Sequence, residues 1–353
     1  MTLIPTTYQR LVSVLLAVRM LPLTAPALTL APPPVEISEK RLSARLPLSS
    51  PADLKVYRGD SNQPLFGTTT QQSGTLIFVP AAPFVAGATY RVELSLPNGS
   101  ISTHWVTRDP QKKDPPYVDL SPASVAIPAN TLKLYLDFSE PMEQGVFLKH
   151  LTLQRRNGQE VAGAFRETEL WSPDGKRLTV MLHPGRQKTG VNLNIDEGPV
   201  LVEGEHYRLV VSGQWRSTSG VSLGKEGVFT LEPIAADHEQ PDPTRWQVHP
   251  PKTGTTAPLV VITDELFEPQ VFQRALQVPG IPGKAEAKVI DLKRIEWRFT
   301  PEKTWKPGEH QVTIDSELED MAGNTTRKPF EVDLSSTKPQ ARASSITFRV
   351  SLR

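Results

Sequence analysis

Along most of this chain apolar and polar residues alternate with a period of two, the pattern of strands that bury one face. Leu132-Lys-Leu-Tyr-Leu-Asp-Phe138 is the clearest case, with Leu132, Leu134, Leu136 and Phe138 on one side. Leu151–Leu153, Leu178–Leu182, Leu259–Ile262, Ala275–Val278, Ala285–Ile290 and Ile295–Phe299 also read as strands. Asn157-Gly158 predicts a hairpin between Leu151–Leu153 and Val161–Phe165, and Ser172-Pro-Asp-Gly175 predicts a second turn. Outside the N-terminal leader, no stretch of useful length carries the 3.6-residue period of a helix.

One phrase occurs three times. Phe78-Val-Pro80 is followed by Gly87 and Tyr90, Phe299-Thr-Pro301 by Trp305, Gly308 and Gln311, and Leu182-His-Pro184 by Gly204 and Tyr207. The proline-to-glycine spacing is seven in the first two and twenty in the last, so residues 185–199 read as a loop inserted into the middle copy. The phrase has a physical sense. A strand ends at a proline that cannot donate to the ladder, an apolar residue plugs the end, and glycine turns the chain into the next strand. Gly87, Gly204 and Gly308 are therefore expected in the turn before a late long strand, some with positive φ. Tyrosine three residues after the glycine has the position of the tyrosine corner of Ig-like sandwiches, and Gln311 departs from it.

Leu136-Asp-Phe138-Ser-Glu-Pro-Met142, after Ser121-Pro122 and Ile127-Pro128, resembles the opening of bacterial Ig-like domains of surface and S-layer-type proteins. Leu318-Glu-Asp320-Met-Ala-Gly323-Asn324 is similar to the final turn of those domains. The resemblance covers the middle and third segments. It implies secreted, repeated β-sandwich modules serving as spacers, stalks or adhesion units, on a fold that hosts many unrelated roles.

The fold class expected is all-β, as tandem Ig-like β-sandwiches. Residues 1–31 form a signal peptide or leader, 32–109 a first domain, and 115–233 a second with the inserted loop 185–199. A third domain follows at 244–334, then a C-terminal tail at 335–353 with a possible strand at Ile346–Leu352. Asp109–Pro116 and the acidic, proline-bearing Glu232–Pro243 read as semi-rigid spacers.

Composition supports an all-β reading. Of 353 residues 34 are proline, which removes a helical hydrogen bond but is tolerated at strand starts, edges and turns. Thirty-nine basic residues nearly balance thirty-eight acidic ones without a charge block, which argues against nucleic-acid binding. Cysteine is absent, excluding disulfides, thiolate metal sites and cysteine nucleophiles. Arg10, the apolar run Leu11–Val18 and the small residues around Ala25-Pro-Ala27 have the order of a secretory signal, with a mature start expected near Leu28 or Pro32. Arg19, Pro22 and Pro26 argue against a stable membrane span there. The expected location is secreted, periplasmic or cell-surface.

Catalytic motifs are missing: the chain has no Gly-x-Ser-x-Gly, His-Glu-x-x-His or Walker loop. The seven histidines lack metal-ligand spacing. No catalytic, cofactor-binding or metal residue is therefore assigned, and no cofactor is expected. Asp315, Glu317, Glu319, Asp320 and Asn324 could offer oxygens to calcium, or could be a solvated strand end with Asp320 and Asn324 bonding their own turn. In the inserted loop, Arg186, Lys188, Asn192, Asn194, Asp196 and Glu197 could recognise a partner or form a plain surface loop. Trp297 and Trp305 read as core or end plugs, while Trp171 and Trp215 lie near turns where exposure is possible. Three function classes stay open. The first is a non-catalytic structural, spacer or adhesive module meeting a protein or glycan at the cell exterior. The second is a carbohydrate- or peptide-binding module, and the third a secreted enzyme.

Overall fold

The computed structural model describes residues 35–45, 53–95, 99–110, 112–330 and 344–351, so the leader reading at 1–31 lies outside the described residues. Most of the alternating stretches become strands. The first unit holds β1 (Val35–Ile37), β2 (Leu42–Arg45), β3 (Asp53–Arg58), β4 (Gly67–Gln72), β5 (Thr75–Pro80), β6 (Thr89–Ser95) and β7 (Ile101–Thr107). These form two sheets ordered β1-β2-β5-β4 and β3-β6-β7, which in Ig lettering are A-B-E-D and C-F-G.

The second unit repeats the plan with a split first strand. It comprises β8 (Val118–Ser121), β9 (Ala126–Pro128), β10 (Lys133–Phe138), β11 (Leu151–Arg155), β12 (Leu170–Trp171), β13 (Arg177–Met181), β14 (Tyr207–Val211) and β15 (Gly227–Ile234). Its sheets run β12-β13-β10-β8 and β11-β14-β15-β9, and β9 pairs parallel to β15. The inserted loop between β13 and β14 carries two short helices, α1 (Pro184–Gln187) and α2 (Asn192–Glu197).

The third unit has β16 (Gln247–His249), β17 (Leu259–Ile262), α3 (Pro269–Ala275), β18 (Leu276–Gln277), β19 (Gly283–Val289), β20 (Ile295–Pro301), β21 (Gly308–Ile314) and β22 (Ser345–Val350). The sheets β16-β17-β20-β19 and β18-β21-β22 again read A-B-E-D and C-F-G. The chain is an all-β array of tandem Ig-like β-sandwiches.

Three apolar clusters fill the sandwiches. In the second, Leu134 and Leu136 on β10 oppose Val180 and Leu178 on β13, and all four are buried. Such a side chain stabilises by about 1.5–3 kcal/mol over its exposed state. Trp215 is fully buried here, packed against Phe138 and Trp171 and stacked on His150, so its closeness to a turn did not leave it exposed.

Several local expectations are corrected. The possible strand expected at Ile346–Leu352 is realised as β22, but as part of the third sandwich, pairing with β21 over six residue pairs and completing the C-F-G sheet. Without it, β21 would be an open edge. Val161–Phe165 is no continuous strand: Glu160 and Phe165 make isolated bridges, and Gly163 turns the chain with φ +61. The strand expected at Ala275–Val278 is shorter, β18 at Leu276–Gln277, and follows directly on α3, which Pro269 starts and the Glu268 side chain caps by accepting from the Val271 amide at 2.7 Å. The second spacer begins only after β15, which extends to Ile234.

Neither connection is a free spacer. Arg108 is buried, and its Nη1 donates to the carbonyls of Phe84 (2.7 Å) and Thr218 (2.6 Å), one in each adjoining sandwich. The Ala86 amide also donates to Thr218 at 3.0 Å, and Arg58 pairs with Glu143. Between the second and third sandwiches, the Leu132 amide donates to Met321 at 2.9 Å and Lys133 pairs with Glu319. Leu266 and Met321 join the apolar core of the second sandwich. In the connecting segment, Asn130 exchanges two hydrogen bonds with the backbone of Asp237, at 2.7 and 2.9 Å. These hydrogen bonds and ion pairs tie each sandwich to its neighbour across both junctions.

Candidate functional site

The repeat phrase is realised at the E–F corners. Gly87 and Gly204 adopt φ +73 and +79, and the following tyrosines reach back across the turn. Tyr90 Oη accepts from the Val85 amide at 2.7 Å, and Tyr207 Oη accepts from the Val202 amide at 3.1 Å. Burial of the Tyr90 ring pushes its hydroxyl above the ordinary value. In the third sandwich Gly308 already belongs to β21, with φ +139, and the exposed Gln311 takes no part. His310 fills the place instead, contacting the Lys306 carbonyl at 2.9 Å and packing its ring on Trp305 and Phe348.

The inserted loop turns three of its polar residues inward. Buried Arg186 donates to the carbonyls of Ala162 (2.6 Å), Gly198 (2.9 Å) and Pro199 (3.2 Å). Gln187, also buried, donates to Thr131 at 2.8 Å and accepts from the Val200 amide at 3.3 Å. Asn194 donates to the Arg186 carbonyl, and Lys188 lies over the Phe330 ring at 5.9 Å. Arg186, Gln187 and Asn194 therefore hold the loop to its own sandwich. Asn192, Asp196 and Glu197 remain on its exposed side.

The five residues weighed for calcium do not converge on one point. Glu319 pairs with Lys133, Glu317 pairs with Arg327, and Asp315 accepts from the Glu317 amide. Asp320 and Asn324 bond their own turn: Asp320 Oδ1 accepts from the amides of Ala322 (2.8 Å) and Asn324 (2.9 Å), and Asn324 Nδ2 donates to Asp320 Oδ2 at 2.9 Å. Gly323 has φ +85 and lies so close to Leu132 that a Cβ would overlap it, seating this turn against the second sandwich.

A different acidic group forms at that junction. Asp237 from the connecting segment, Glu265 after β17 and Asp320 place their carboxylates within 4.8 Å of one another. Burial, reinforced by the negative charges of Asp320 and Asp237, pushes Glu265 up to about 9. Burial also raises Asp320 to about 7, against the hydrogen bonds from Asn324 and Ala322, and raises Asp237. Crowded carboxylates relieve their repulsion by holding protons or by sharing a hard cation. The sequence pattern singles out Asp320 but neither partner, because Asp237 of the connecting segment and Glu265 after β17 reach it only through the folding of the third sandwich.

Of the tryptophans, Trp105 on β7 is half exposed, while Trp246, Trp297 and Trp305 are buried. Trp171 lies half-buried between the core and the outer face of its sheet.

No family model matches this chain, and no curated protein matches it. Among solved structures it is similar to titin domains A168–A170, at 11% identity over 84% of this chain and 94% of that one, with a TM-score of 0.21. It is similar to domains 4–9 of the surface layer protein SbsC, at 9% identity, 90% and 43% coverage, and TM-score 0.21. The human desmocollin-1 ectodomain gives 13% identity, 91% and 55% coverage, and TM-score 0.20. The chain thus spans about half the length of each of these last two solved chains. Scores this low add nothing to the strand order, which establishes the fold by itself.

Proposed function

We propose that the chain is a non-catalytic, exported array of Ig-like modules with a structural, spacer or adhesive role at the cell exterior. The observation that carries this reading is the pair of packed junctions. Arg108 ties the first two sandwiches through backbone carbonyls on both sides. In the second junction, Glu268 accepts from Ser121 Oγ at 2.7 Å and faces Arg177 at 3.0 Å. Three sandwiches fixed in this way hold whatever they carry at a set distance and orientation, which is the task of a stalk. Export is supported by the charged, apolar and small residues of the leader.

Absence of catalysis is supported by the way these strands use their residues. Inward positions are apolar core, and Arg186, Gln187 and Asn194 of the longest insertion are tied to backbone carbonyls. Catalysis needs pre-positioned groups with tuned protonation in a pocket. Cell fractionation with N-terminal sequencing tests the reading: an exported product starting near Leu28 or Pro32 supports it, and an intact Met1 in the cytosolic fraction overturns it. A reproducible turnover of a glycoside, ester or peptide, lost on changing one carboxylate or histidine, would overturn the non-catalytic part.

A further inference from the structure

The outer face of the β12-β13-β10-β8 sheet does not meet solvent as a flat surface. α3 of the third sandwich and the turn at 172–176 stand beside it, and a groove of about 900 Å³ lies between them. The alternation that sends Leu134, Leu136 and Leu178 into the core leaves Tyr135, Asp137 and Arg177 on the groove floor. Gln270 and Arg274 line it from α3. We propose that this groove binds a neutral, hydroxyl-rich chain: an oligosaccharide or a segment of a polysaccharide. This goes beyond the structural role proposed above, which would stand unchanged in a protein without affinity for sugar.

Three observations carry the inference. First, the floor is built before any ligand arrives. Arg177 is buried and meets Asp137 in a two-pronged pair at 2.6 and 2.6 Å, lies 5.2 Å over the Tyr135 ring, and faces Glu268 of the third sandwich at 3.0 Å. Burial opposes the charge of Arg177, but the two carboxylates outweigh it and hold its pKa above the ordinary value. A pre-ordered planar array spares the ligand the entropy of arranging it.

Second, one aromatic ring is fixed at the groove. Trp171 is backed by Phe138 at 5.8 Å and Trp215 at 5.9 Å, and its Nε1 donates to Glu169 Oε2 at 2.8 Å. Opposite core-facing Leu178, this indole reaches the groove at the β12 edge, and exposed Leu170 beside it adds apolar surface next to the polar groups, which suits the mixed C–H and O–H surface of a pyranose ring.

Third, the charges cancel. Lys176, Arg177 and Arg274 meet Asp119, Asp137 and Asp174 around the same groove. A polyanion or a polycation gains little from a lining whose charges largely pair with one another, whereas the charged groups left outside those pairs can make charge-assisted hydrogen bonds to a hydroxyl. Among the described residues Lys176, Arg274 and Asp119 have no ion-pair partner, so they are available for such bonds. Peptide recognition by apolar side-chain pockets is disfavoured here, because the floor is charged and carries a single indole.

The test titrates the full chain with neutral hexasaccharides of β-1,4-glucose, β-1,4-N-acetylglucosamine, α-1,4-glucose and β-1,4-xylose, followed by calorimetry and tryptophan fluorescence. At least one should bind with a dissociation constant below about 1 mM. Arg274→Ala and Asp119→Ala should each weaken it about ten-fold while leaving the melting temperature unchanged. Trp171→Phe should weaken binding and reduce the fluorescence response. The proposal falls if no sugar binds at about 5 mM, if binding survives all three variants, or if acidic or basic peptides bind in place of the sugars.

Discussion

The amide of Val85 and the hydroxyl of Tyr90, five residues apart, meet at 2.7 Å inside the first sandwich, and Val202 and Tyr207 repeat the pair in the second. Removing the hydroxyl leaves a backbone donor without its partner. Tyr90→Phe and Tyr207→Phe should each destabilise their own sandwich by about 1–2 kcal/mol. Gln311→Ala, at the equivalent position of the third, should stay within about 0.5 kcal/mol. Urea unfolding of the three variants checks the contrast, and equal effects at all three would refute it.

The glycines ahead of those tyrosines make a second prediction. Gly87 and Gly204 lie in the left-handed region with open space where a Cβ would stand, so the cost of a side chain there is backbone strain alone. Gly87→Val and Gly204→Val should lose about 1–3 kcal/mol, and alanine less than valine. Thermal melts that match the unchanged protein would remove the basis for this corner.

Junction rigidity makes a third. Arg108→Ala leaves the Phe84 and Thr218 carbonyls without a shared donor and should cost about 1–3 kcal/mol at the first junction. Small-angle scattering should then show a broader distance distribution, with each sandwich still folded by circular dichroism. An unchanged distribution would mean that Arg108 does not hold the two modules.

The carboxylates of Asp237, Glu265 and Asp320 give a pH dependence of definite sign. Glu265 is raised from 4.5 to about 9 and Asp320 from 3.8 to about 7, so the folded protein binds their protons more tightly than the unfolded chain. Their contribution is complete below the unfolded values and is lost as pH rises through about 7 and then about 9. Glu265→Gln, which stays neutral, should flatten the fall in melting temperature between pH 6 and 9, wherever millimolar chelator excludes cations. A variant that falls as steeply as the unchanged chain would contradict the assignment.

Much of the fold was legible because alternation is a local property. Leu134, Leu136 and Phe138 declare a one-sided strand without reference to anything distant, and the glycine–tyrosine spacing marks two of the three corners. Tertiary contacts decided the rest. α3 is a seven-residue helix of about two turns that starts at Pro269 and buries only Phe272 and Ala275, too few residues to show a helical period. The third corner hid because His310, not the aligned Gln311, supplies the ring. The groove beside α3 draws residues from two sandwiches, and the carboxylate group joins the connecting segment to two distant turns of the third, so no spacing along the chain could announce them.

The pairing of β22 with β21 sets an order of events on the ribosome. Residues 315–344 separate the two strands, so the third sandwich keeps an unzipped flank until Val350 has left the exit tunnel. The first two sandwiches draw every strand from residues already translated and can close long before. A nascent chain stalled at residue 340 would therefore carry two finished modules and one waiting for its last strand, a sticky intermediate that chaperones would be expected to shield.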